Sequence, residues 1–362
     1  MQLDMHYYGT YALAKTAGLK ADICETIAFA SQFVDHNAAN TQIVFQDGAR
    51  IDAQATAHHV TDIRANLDDA DQRQVWVPFH FLPGNEGTDF SERLICRENS
   101  AMARHMVEHH LAYADQTVGV FLMGIAAHVL ADTFSHFGFS GVSSRRNKIV
   151  NDSLRFEQGL DPELADYIEA KRDAFFRRHG KGGGFFANMK SWLAETVSGA
   201  LGHGAVATYP DRPYLNWSFE YEYPERIQIQ RDNVEHFLAG CEALHDMFTR
   251  FSVTNPTYGD GSGVSFDAIK DQIRHILAYQ ARMEDRVVKW QEQATQGTLG
   301  KKTFSIPRCQ PETWMKHAAD LNSSEDSHQA LGSPLYRFYQ AASIHRQFIL
   351  RELLPQNHLV VA

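Results

Sequence analysis

The sequence predicts an all-α protein of 362 residues that folds as one large domain. Three observations support this fold class. Apolar residues recur at helical spacing over most of the chain, helix start and stop residues flank these segments, and candidate strands are few and short. Hydrophobic residues make up 44% and charged residues 22% of the chain, which is ordinary for a folded globular protein with a sizeable core.

Predicted helices account for most of the first 201 residues. The first ends at Gly18, a residue type that often follows a helix. A later helix opens with Asp161-Pro162, a capping residue followed by proline at the first helical position. Residues 42–48 and 74–82 are short runs typical of small strands or loops. In order, the helices span residues 7–17, 20–33, 91–113, 115–137, 162–179 and 185–201.

The second half of the chain is predicted to contain the longest helices. Residues 180–184, GKGGG, form a linker, because they lack the spacing of a phosphate-binding loop and follow no apolar strand. An aromatic, proline-marked stretch occupies residues 209–224. Long helices then span residues 226–251, 265–296 and 334–354. We therefore expect residues 1–225 to form a core with the functional site and residues 226–362 to add a helical layer to the same domain.

Charge and cysteine content exclude several function classes. The formal net charge of −10 disfavours stable binding to nucleic acid or to an anionic membrane surface. The four cysteines lie far apart without a C-x-x-C pair, so a thiolate zinc site is not expected. The opening MQLDMHYYGTYALAK lacks the basic start and apolar run of a signal peptide, and no apolar segment is long enough to span a bilayer. We expect a soluble cytoplasmic protein, with signal-independent secretion as the alternative.

Histidine and aspartate alternate at helical spacing in the run GIAAHVLADTFSHFGFSG. His128, Asp132 and His136 are four residues apart, so they share one face of the most apolar predicted helix. Imidazole and carboxylate groups are ligands that zinc and other first-row metals prefer. The alternative is a buried hydrogen-bond network in which Asp132 fixes a histidine tautomer. The 19 histidines of the chain also favour metal binding.

Two further candidates lie near the N-terminus. In an extended segment Asp4 and His6 point to the same side and could chelate one ion. Otherwise Asp4 caps the first helix and His6 lies on the surface. Asp35 follows the second helix, where the helix dipole opposes a carboxylate, so a cation or a neighbouring basic side chain is expected beside it. Asp35 could bridge two metals or take a proton from a metal-bound water.

Histidines elsewhere complete the candidate set. Either His58 or His59 could face inward, and His80, in the apolar run Pro78-Phe79-His80-Phe81, could line a pocket rim. His203 stands between two glycines, which allow close approach of a ligand. Asp211 is held between prolines and forms a second His…Asp pair with His203, although it could instead cap a turn or pair with the arginine that follows it.

The chain order of these residues resembles the zinc-dependent phospholipase C and single-strand-specific nuclease superfamily. The resemblance implies an all-helical bundle, two or three zinc ions, and phosphoester cleavage by metal-activated water. It also implies roles for individual residues. The helix pair corresponds to His128 and Asp132, the next histidine to His136, the bridging and catalytic aspartate to Asp35, the histidine after it to His58 or His59, and the final pair to His203 and Asp211. The opening DMHYYGTYALAKTAG also looks like an uncharacterised bacterial family.

The sequence departs from the superfamily pattern at three points. Seven residues separate His203 from Asp211, where the superfamily has three. His136 follows Asp132 more closely than in the superfamily. Met1 is not expected to supply the N-terminal amine ligand, so we expect Asp4 to replace it. The resemblance covers roughly the first 215 residues and leaves the long C-terminal helices without an assigned role.

The leading prediction is therefore a metal-dependent phosphoesterase with a phosphoester or phospholipid substrate. A second reading is a helical metallohydrolase built on His245-Asp246, and a third is a di-iron enzyme with the Glu-x-x-His motifs at Glu242 and Glu325. A fourth is an interaction protein with a structural metal. Aromatic residues that could stack on a substrate, or simply pack in the core, are Tyr209, Tyr214, Trp217, Phe219, Tyr221 and Tyr223.

Overall fold

A computed structural model describes residues 1–38, 42–58, 68, 71–157, 159–180, 201–322 and 327–361. Most of these residues are helical, as the sequence predicts. The α-helices are α1 (Thr10–Thr16), α2 (Ala21–His36), α3 (Val77–Phe79), α4 (Phe90–Arg93), α5 (Ala101–Leu111), α6 (Gly119–His136), α7 (Pro162–Gly180), α8 (Asn233–Thr254), α9 (Lys270–Leu277), α10 (Met283–Thr295), α11 (Glu312–Asn322), α12 (His328–Leu331), α13 (Pro334–Gln347) and α14 (Leu354–Gln356). Segments Asp4–Gly9, Gln72–Trp76 and Phe348–Leu353 are π-helical, and short 3-10 turns occur between the longer elements.

Two small antiparallel sheets separate the fold from a purely helical one. Strands β1 (Gln42–Val44) and β2 (Arg50–Asp52) form a hairpin. Strands β3 (Arg155–Phe156), β4 (Asn216–Tyr221) and β5 (Ile227–Asp232) form a three-stranded sheet in that order. The all-α prediction is thus correct for most of the described chain and wrong for these two regions.

Strand β5 replaces the start of a helix predicted over residues 226–251. One side of β5 carries every second residue, namely Ile227, Ile229 and Arg231. Phe219 of β4 pairs with Ile229. Helix α8 begins only at Asn233, where the Asp232 side chain accepts a hydrogen bond from the Val234 backbone N–H. The two-residue alternation of a strand therefore ends at Asp232, and this aspartate caps the helix that follows. Together these features set the boundary between β5 and α8.

Other predicted helices are divided or lie elsewhere. The helix predicted over residues 91–113 is split into α4 and α5, because Ser100 caps a new helix by accepting from the Ala103 N–H. The helix predicted over residues 265–296 is split into α9 and α10, and Arg286 binds the Ala281 carbonyl that the break leaves free. Residues 74–82 are largely helical. The helix predicted over residues 185–201 falls almost entirely outside the described residues.

Helix α6 lies at the centre of the main core, and all 18 of its residues are buried. Helices α2, α5, α8 and α13 pack directly against it. Gly124 allows the closest of these approaches, since a Cβ atom there would lie 2.5 Å from the Ala30 side chain and 2.6 Å from the Ile27 carbonyl oxygen of α2. Two of the helices in the C-terminal part, α8 and α13, therefore contact the central helix directly.

A second, smaller core lies against the three-stranded sheet. Trp217 and Phe219 are fully buried there and stack on each other, and Tyr209 contacts Trp217 edge-on. Most of the aromatic run of residues 209–224 thus packs internally. No helix among the described residues is both long and apolar enough to cross a membrane.

Candidate metal centre

The α6 stripe faces inward as the sequence predicts. His128, Asp132 and His136 are almost completely buried. Asp132 Oδ2 lies 3.2 Å from His128 Nε2 and 3.5 Å from His136 Nδ1. A carboxylate one helical turn from each of two imidazoles is the arrangement that spacing of four residues produces.

The N-terminal segment contributes His6 to this stripe, but not Asp4. His6 stacks on His128 with ring centroids 3.8 Å apart, and its Nε2 lies 3.2 Å from Asp132 Oδ1. Neither ring nitrogen of the buried His6 makes a hydrogen bond. Asp4 instead forms an ion pair with Arg286 at 2.7 Å. The expected pairing of Asp4 with His6 required an extended segment, whereas residues 4–9 are helical and send positions two apart in different directions.

The amino group of Met1 occupies the place expected for Asp4. Its nitrogen lies 2.7 Å from Asp132 Oδ1 and 3.2 Å from Asp211 Oδ1. Burial lowers the pKa of this amine, but the charges of Asp132, Asp211 and Asp35 outweigh burial and raise it to about 11.

Asp35 and His80 complete the cluster around Asp132. Asp35 Oδ1 lies 3.8 Å from His128 Nε2 and 3.9 Å from His80 Nδ1, and a third of its side chain is exposed. His80 Nδ1 lies 3.3 Å from Asp132 Oδ2 and 3.2 Å from His128 Nε2. The sequence placed His80 only at a pocket rim. Its position as a lone imidazole in an apolar run was the available indication.

His136, His203 and Asp211 form the second part of the cluster. His136 Nε2 lies 3.1 Å from Asp211 Oδ1, and His203 Nε2 lies 3.7 Å from Asp211 Oδ2. The long spacing between His203 and Asp211 is accommodated by a 3-10 turn at Gly204–Val206 and by Ala207 at φ +48°. No ion pair joins Asp211 to the arginine that follows it.

The histidine predicted between Asp35 and α6 is His80 rather than His58. His58 is turned away and lies 3.4 Å from Asp71. Thr56, two residues earlier, is bound through its N–H to the Asn37 carbonyl, which fixes the direction of this segment. His59 lies outside the described residues.

Four of these histidines are oriented by the backbone. In each, one ring nitrogen donates to a carbonyl oxygen, because a carbonyl can only accept. When the ring is neutral, its other nitrogen keeps a lone pair, and this is the tautomer that a metal ligand requires. The four bonds are His128 Nδ1 to Ser31 at 2.9 Å, His136 Nδ1 to His80 at 2.9 Å, His80 Nε2 to Thr56 at 2.8 Å, and His203 Nδ1 to Ala207 at 2.7 Å.

This orientation creates a demand for positive charge. His128 Nε2 and His80 Nδ1 lie 3.2 Å apart beside two carboxylates, and with both rings neutral their lone pairs face each other. A proton or a metal cation between them removes the repulsion. Burial lowers the pKa of His80, but the hydrogen bond and charge of Asp132 more than offset burial and raise it. A proton at His80 therefore competes with a metal for the same position.

The remaining titratable groups favour the ligand state. Burial lowers the pKa of His128 and of His203 to about 4, so both imidazoles are neutral at pH 7. Burial alone would raise the pKa of Asp132, but His136, the Met1 amine and His128 hold it well below its ordinary value. The Met1 amine and His203 do the same for Asp211. Neutral imidazoles and ionised carboxylates are the forms that bind metal.

Three groups of ligand atoms could each hold a metal ion. The atoms within each group lie within 4.8 Å of one another. The groups are His6–Asp35–His128, His80–His128–Asp132 and His136–His203–Asp211. The first two share His128 and the third shares no residue with them, so the cluster has the donors for at least two ions.

Helix α13 is hydrogen-bonded to the segment that precedes His80. His345 Nε2 donates to the Pro78 carbonyl at 2.8 Å, and its Nδ1 accepts from His110 Nε2 at 2.8 Å. Burial lowers the pKa of His345 to about 3, so the ring stays neutral. A C-terminal helix thus fixes a backbone group two residues from a candidate ligand.

The neighbouring Arg346 holds the other side of His80. Its guanidinium donates to the Ala55 carbonyl, and to Gln54 Oε1 at 2.9 Å. The next carbonyl, that of Thr56, is the one that accepts from His80 Nε2. His345 and Arg346 together fix both backbone segments around His80.

The residues of the two alternative predictions, the helical metallohydrolase and the di-iron enzyme, lie away from this cluster where the structure describes them. His245 is buried against Phe266, and Glu242 pairs with Lys270 at 3.6 Å. Glu325 lies outside the described residues. His245-Asp246 and the Glu-x-x-His motifs therefore share no ligand with the α6 stripe among the described residues.

The sequence matches the model of a protein family over residues 1–353, and that family is described as one of unknown function, DUF6765. The chain belongs to this family. Comparison with curated proteins and with solved structures gives no match. The family spans both the candidate metal centre and the C-terminal helices that support it.

Proposed function

We propose that this protein is a metal-dependent hydrolase that cleaves phosphoester bonds, with zinc as the metal and a phospholipid as the first substrate class to test. One observation carries the proposal. Four imidazoles, each fixed by a backbone carbonyl, direct their inner nitrogens towards three buried or half-buried aspartates. Backbone-oriented imidazoles of this kind are characteristic of metal sites.

The donor set fits zinc better than a hard cation. Nitrogen and carboxylate oxygen ligands suit zinc, while calcium and magnesium prefer oxygen alone. His6, Asp35, His80, His128 and Asp132 would hold one part of the metal cluster, and His136, His203 and Asp211 the other. The four cysteines are buried free thiols, and none belongs to the three groups of ligand atoms.

Bound ions would bind phosphate oxygens and lower the pKa of a water molecule. Asp35 has the features of the proton acceptor. Its side chain is the most exposed carboxylate of the cluster, and Gln32 Nε2 donates to its Oδ2 at 3.3 Å. Burial raises its pKa, but His128, His6 and His80 lower it overall, so Asp35 is ionised at neutral pH. Asp35 would take the proton of the attacking water on a carboxylate oxygen.

The chain order of the clustered residues also supports the proposal. His6, Asp35, His80, the α6 stripe, His203 and Asp211 follow one another as the ligands of the zinc-dependent phospholipase C superfamily do. His80 takes the position first given to His58 or His59. The Met1 amine lies beside His6, where the resemblance puts an amine ligand.

A purely structural metal is the competing function. A structural site has every coordination position filled by protein, whereas a catalytic site keeps one open. The side chains of Asp35 and His203 are 33% and 18% exposed, so the cluster reaches solvent at both of its parts. This exposure favours catalysis.

The test is hydrolysis by zinc-loaded protein. Bis(p-nitrophenyl) phosphate, p-nitrophenylphosphorylcholine and phosphatidylcholine vesicles cover activated diesters and lipid. We expect zinc-dependent turnover of at least one, lost by roughly 100-fold or more in Asp132→Asn. His236→Ala is the matched control, because His236 is a half-buried histidine that pairs with Glu98 and belongs to none of the three ligand groups. A zinc-loaded protein that cleaves none of the three would refute phosphoester hydrolysis.

A further inference from the structure

Arg212, the residue after Asp211, is a buried cation without an acidic partner. It is 4% exposed, and no carboxylate of the described residues lies within 4 Å of it. Its guanidinium makes two weak contacts, to Thr208 Oγ1 at 3.2 Å and to the Tyr214 hydroxyl at 3.5 Å. Its buried Nε–H has no hydrogen-bond acceptor. Buried charges are normally paired, so Arg212 lacks the anion that would compensate it.

Two more cations approach the same place. The ring of Tyr167 in α7 has Arg212 at 5.6 Å, Arg282 at 4.6 Å and Lys171 at 5.5 Å from its centroid. Lys171 and Arg282 are exposed, and neither forms an ion pair with a carboxylate among the described residues. A contact with an aromatic ring is a weaker compensation for a cation than an ion pair with an anion. Such a group is unusual in a chain of net charge −10.

We infer that Arg212, Arg282 and Lys171 form a binding site for a phosphate group around Tyr167. Arg212 supplies the buried end, where an unused N–H of a planar guanidinium suits a phosphate oxygen. Arg282 and Lys171 supply the solvent-exposed end. All three cations lie within 6 Å of the centroid of the Tyr167 ring.

The site adjoins the candidate metal centre along the chain. Asp211 belongs to the metal cluster and Arg212 to the phosphate site, so consecutive residues serve the two. If the protein is the hydrolase proposed above, this site would hold a second phosphate of the substrate that is not cleaved. That assignment rests on the proposed function, whereas phosphate binding itself does not.

The experiment measures binding of inorganic phosphate by calorimetry to the full chain after chelation, which removes any binding to metal. We expect Arg212→Gln to weaken binding by about tenfold or more, because a charge-assisted contact is lost. Arg226→Gln is the matched control, since Arg226 is exposed on the β4–β5 hairpin. Arg212→Gln that binds phosphate within twofold of the wild type would overturn the inference.

A second variant guards against misfolding. Arg282→Gln changes only an exposed residue, and we expect it to weaken phosphate binding several-fold. Unchanged binding in both Arg282→Gln and Lys171→Gln would overturn the site even if Arg212→Gln does not fold. Glycerol 1-phosphate is titrated in parallel. Tighter binding than inorganic phosphate assigns the site to a phosphoester group, and equal or weaker binding assigns it to free phosphate.

The two proposals can fail separately. A protein that binds no zinc but binds phosphate through Arg212 retains this site and loses the hydrolase function. A protein that hydrolyses phosphoesters with zinc, but whose chelated form binds phosphate equally well with and without Arg212, loses only the phosphate site.

Discussion

Replacing Arg346 with methionine tests whether helix α13 positions His80. The guanidinium donates to the Ala55 carbonyl and to Gln54 Oε1, next to the Thr56 carbonyl that orients His80. Methionine keeps much of the apolar stem and removes both hydrogen bonds. Burial lowers the pKa of Arg346 to about 10, so the group is charged at pH 7 and the bonds are charge-assisted.

The expected cost follows from these two bonds. Each charge-assisted bond contributes roughly 1.5–3 kcal/mol, and relief from burying the charge returns part of this, which leaves about 2 kcal/mol of lost stability. For a chain of this size the melting temperature falls by about 3 °C. A histidine ligand that loses its orienting partner typically weakens metal binding by about 10–100-fold, and we expect the same for zinc here.

Zinc affinity is measured by competition with a chromophoric chelator, and stability by thermal unfolding of the chelated and loaded forms. Arg337→Met is the matched control on the same helix. This residue is half-buried, and its side chain makes one long hydrogen bond, 3.4 Å to the Thr117 carbonyl. We expect that control to change stability by less than about 0.5 kcal/mol. If Arg346→Met binds zinc within twofold of the wild type, the position of His80 does not depend on Arg346.

Three further predictions concern acid stability, packing and catalysis. The pKa of His345 falls to about 3 on folding, so between pH 6.5 and 3 only the unfolded chain takes up this proton and stability falls as pH falls. In urea unfolding of chelated protein, His345→Gln should reduce that slope by up to about 1.4 kcal/mol per pH unit, and an unchanged slope would contradict the assignment. Gly124→Ala places a Cβ atom against the α2 backbone, so we expect it to lower the free energy of unfolding by about 1–3 kcal/mol and to weaken zinc binding. Gly332→Ala is the control, because its Cβ atom would meet nothing within 4 Å and should leave stability unchanged. Equal melting temperatures of the two variants would contradict the packing argument. Asp35→Asn should bind zinc with reduced affinity and lose about 100-fold or more in turnover at saturating zinc, and retained turnover would exclude Asp35 as the base.

The stripe on α6 was predictable because helical spacing alone places its three residues on one face. Asp35 was predictable from its unfavourable position at a helix C-terminus. His80 was not, since a single histidine in an apolar run has no periodic partner. Its approach to His128 depends on the packing of a distant segment against α6, which is set by Thr56 and by helix α13.

The errors at Asp4 and in the sheet also have physical causes. The pairing of Asp4 with His6 assumed an extended chain, and the helical start of residues 4–9 turns Asp4 towards Arg286. Strand β5 was joined to the following helix because its hydrogen bonds come from β4, which local sequence does not reveal. The supporting roles of α10 and α13 likewise arise from contacts between residues more than 200 positions apart.

Metal content tests the central claim most directly. Protein purified in zinc-containing buffer and passed through gel filtration is analysed by inductively coupled plasma mass spectrometry. The account predicts two or three zinc ions per chain, with a lower content in Asp132→Asn, whose altered side chain lies between both parts of the cluster. A folded wild-type protein that retains no zinc, iron or manganese would contradict it.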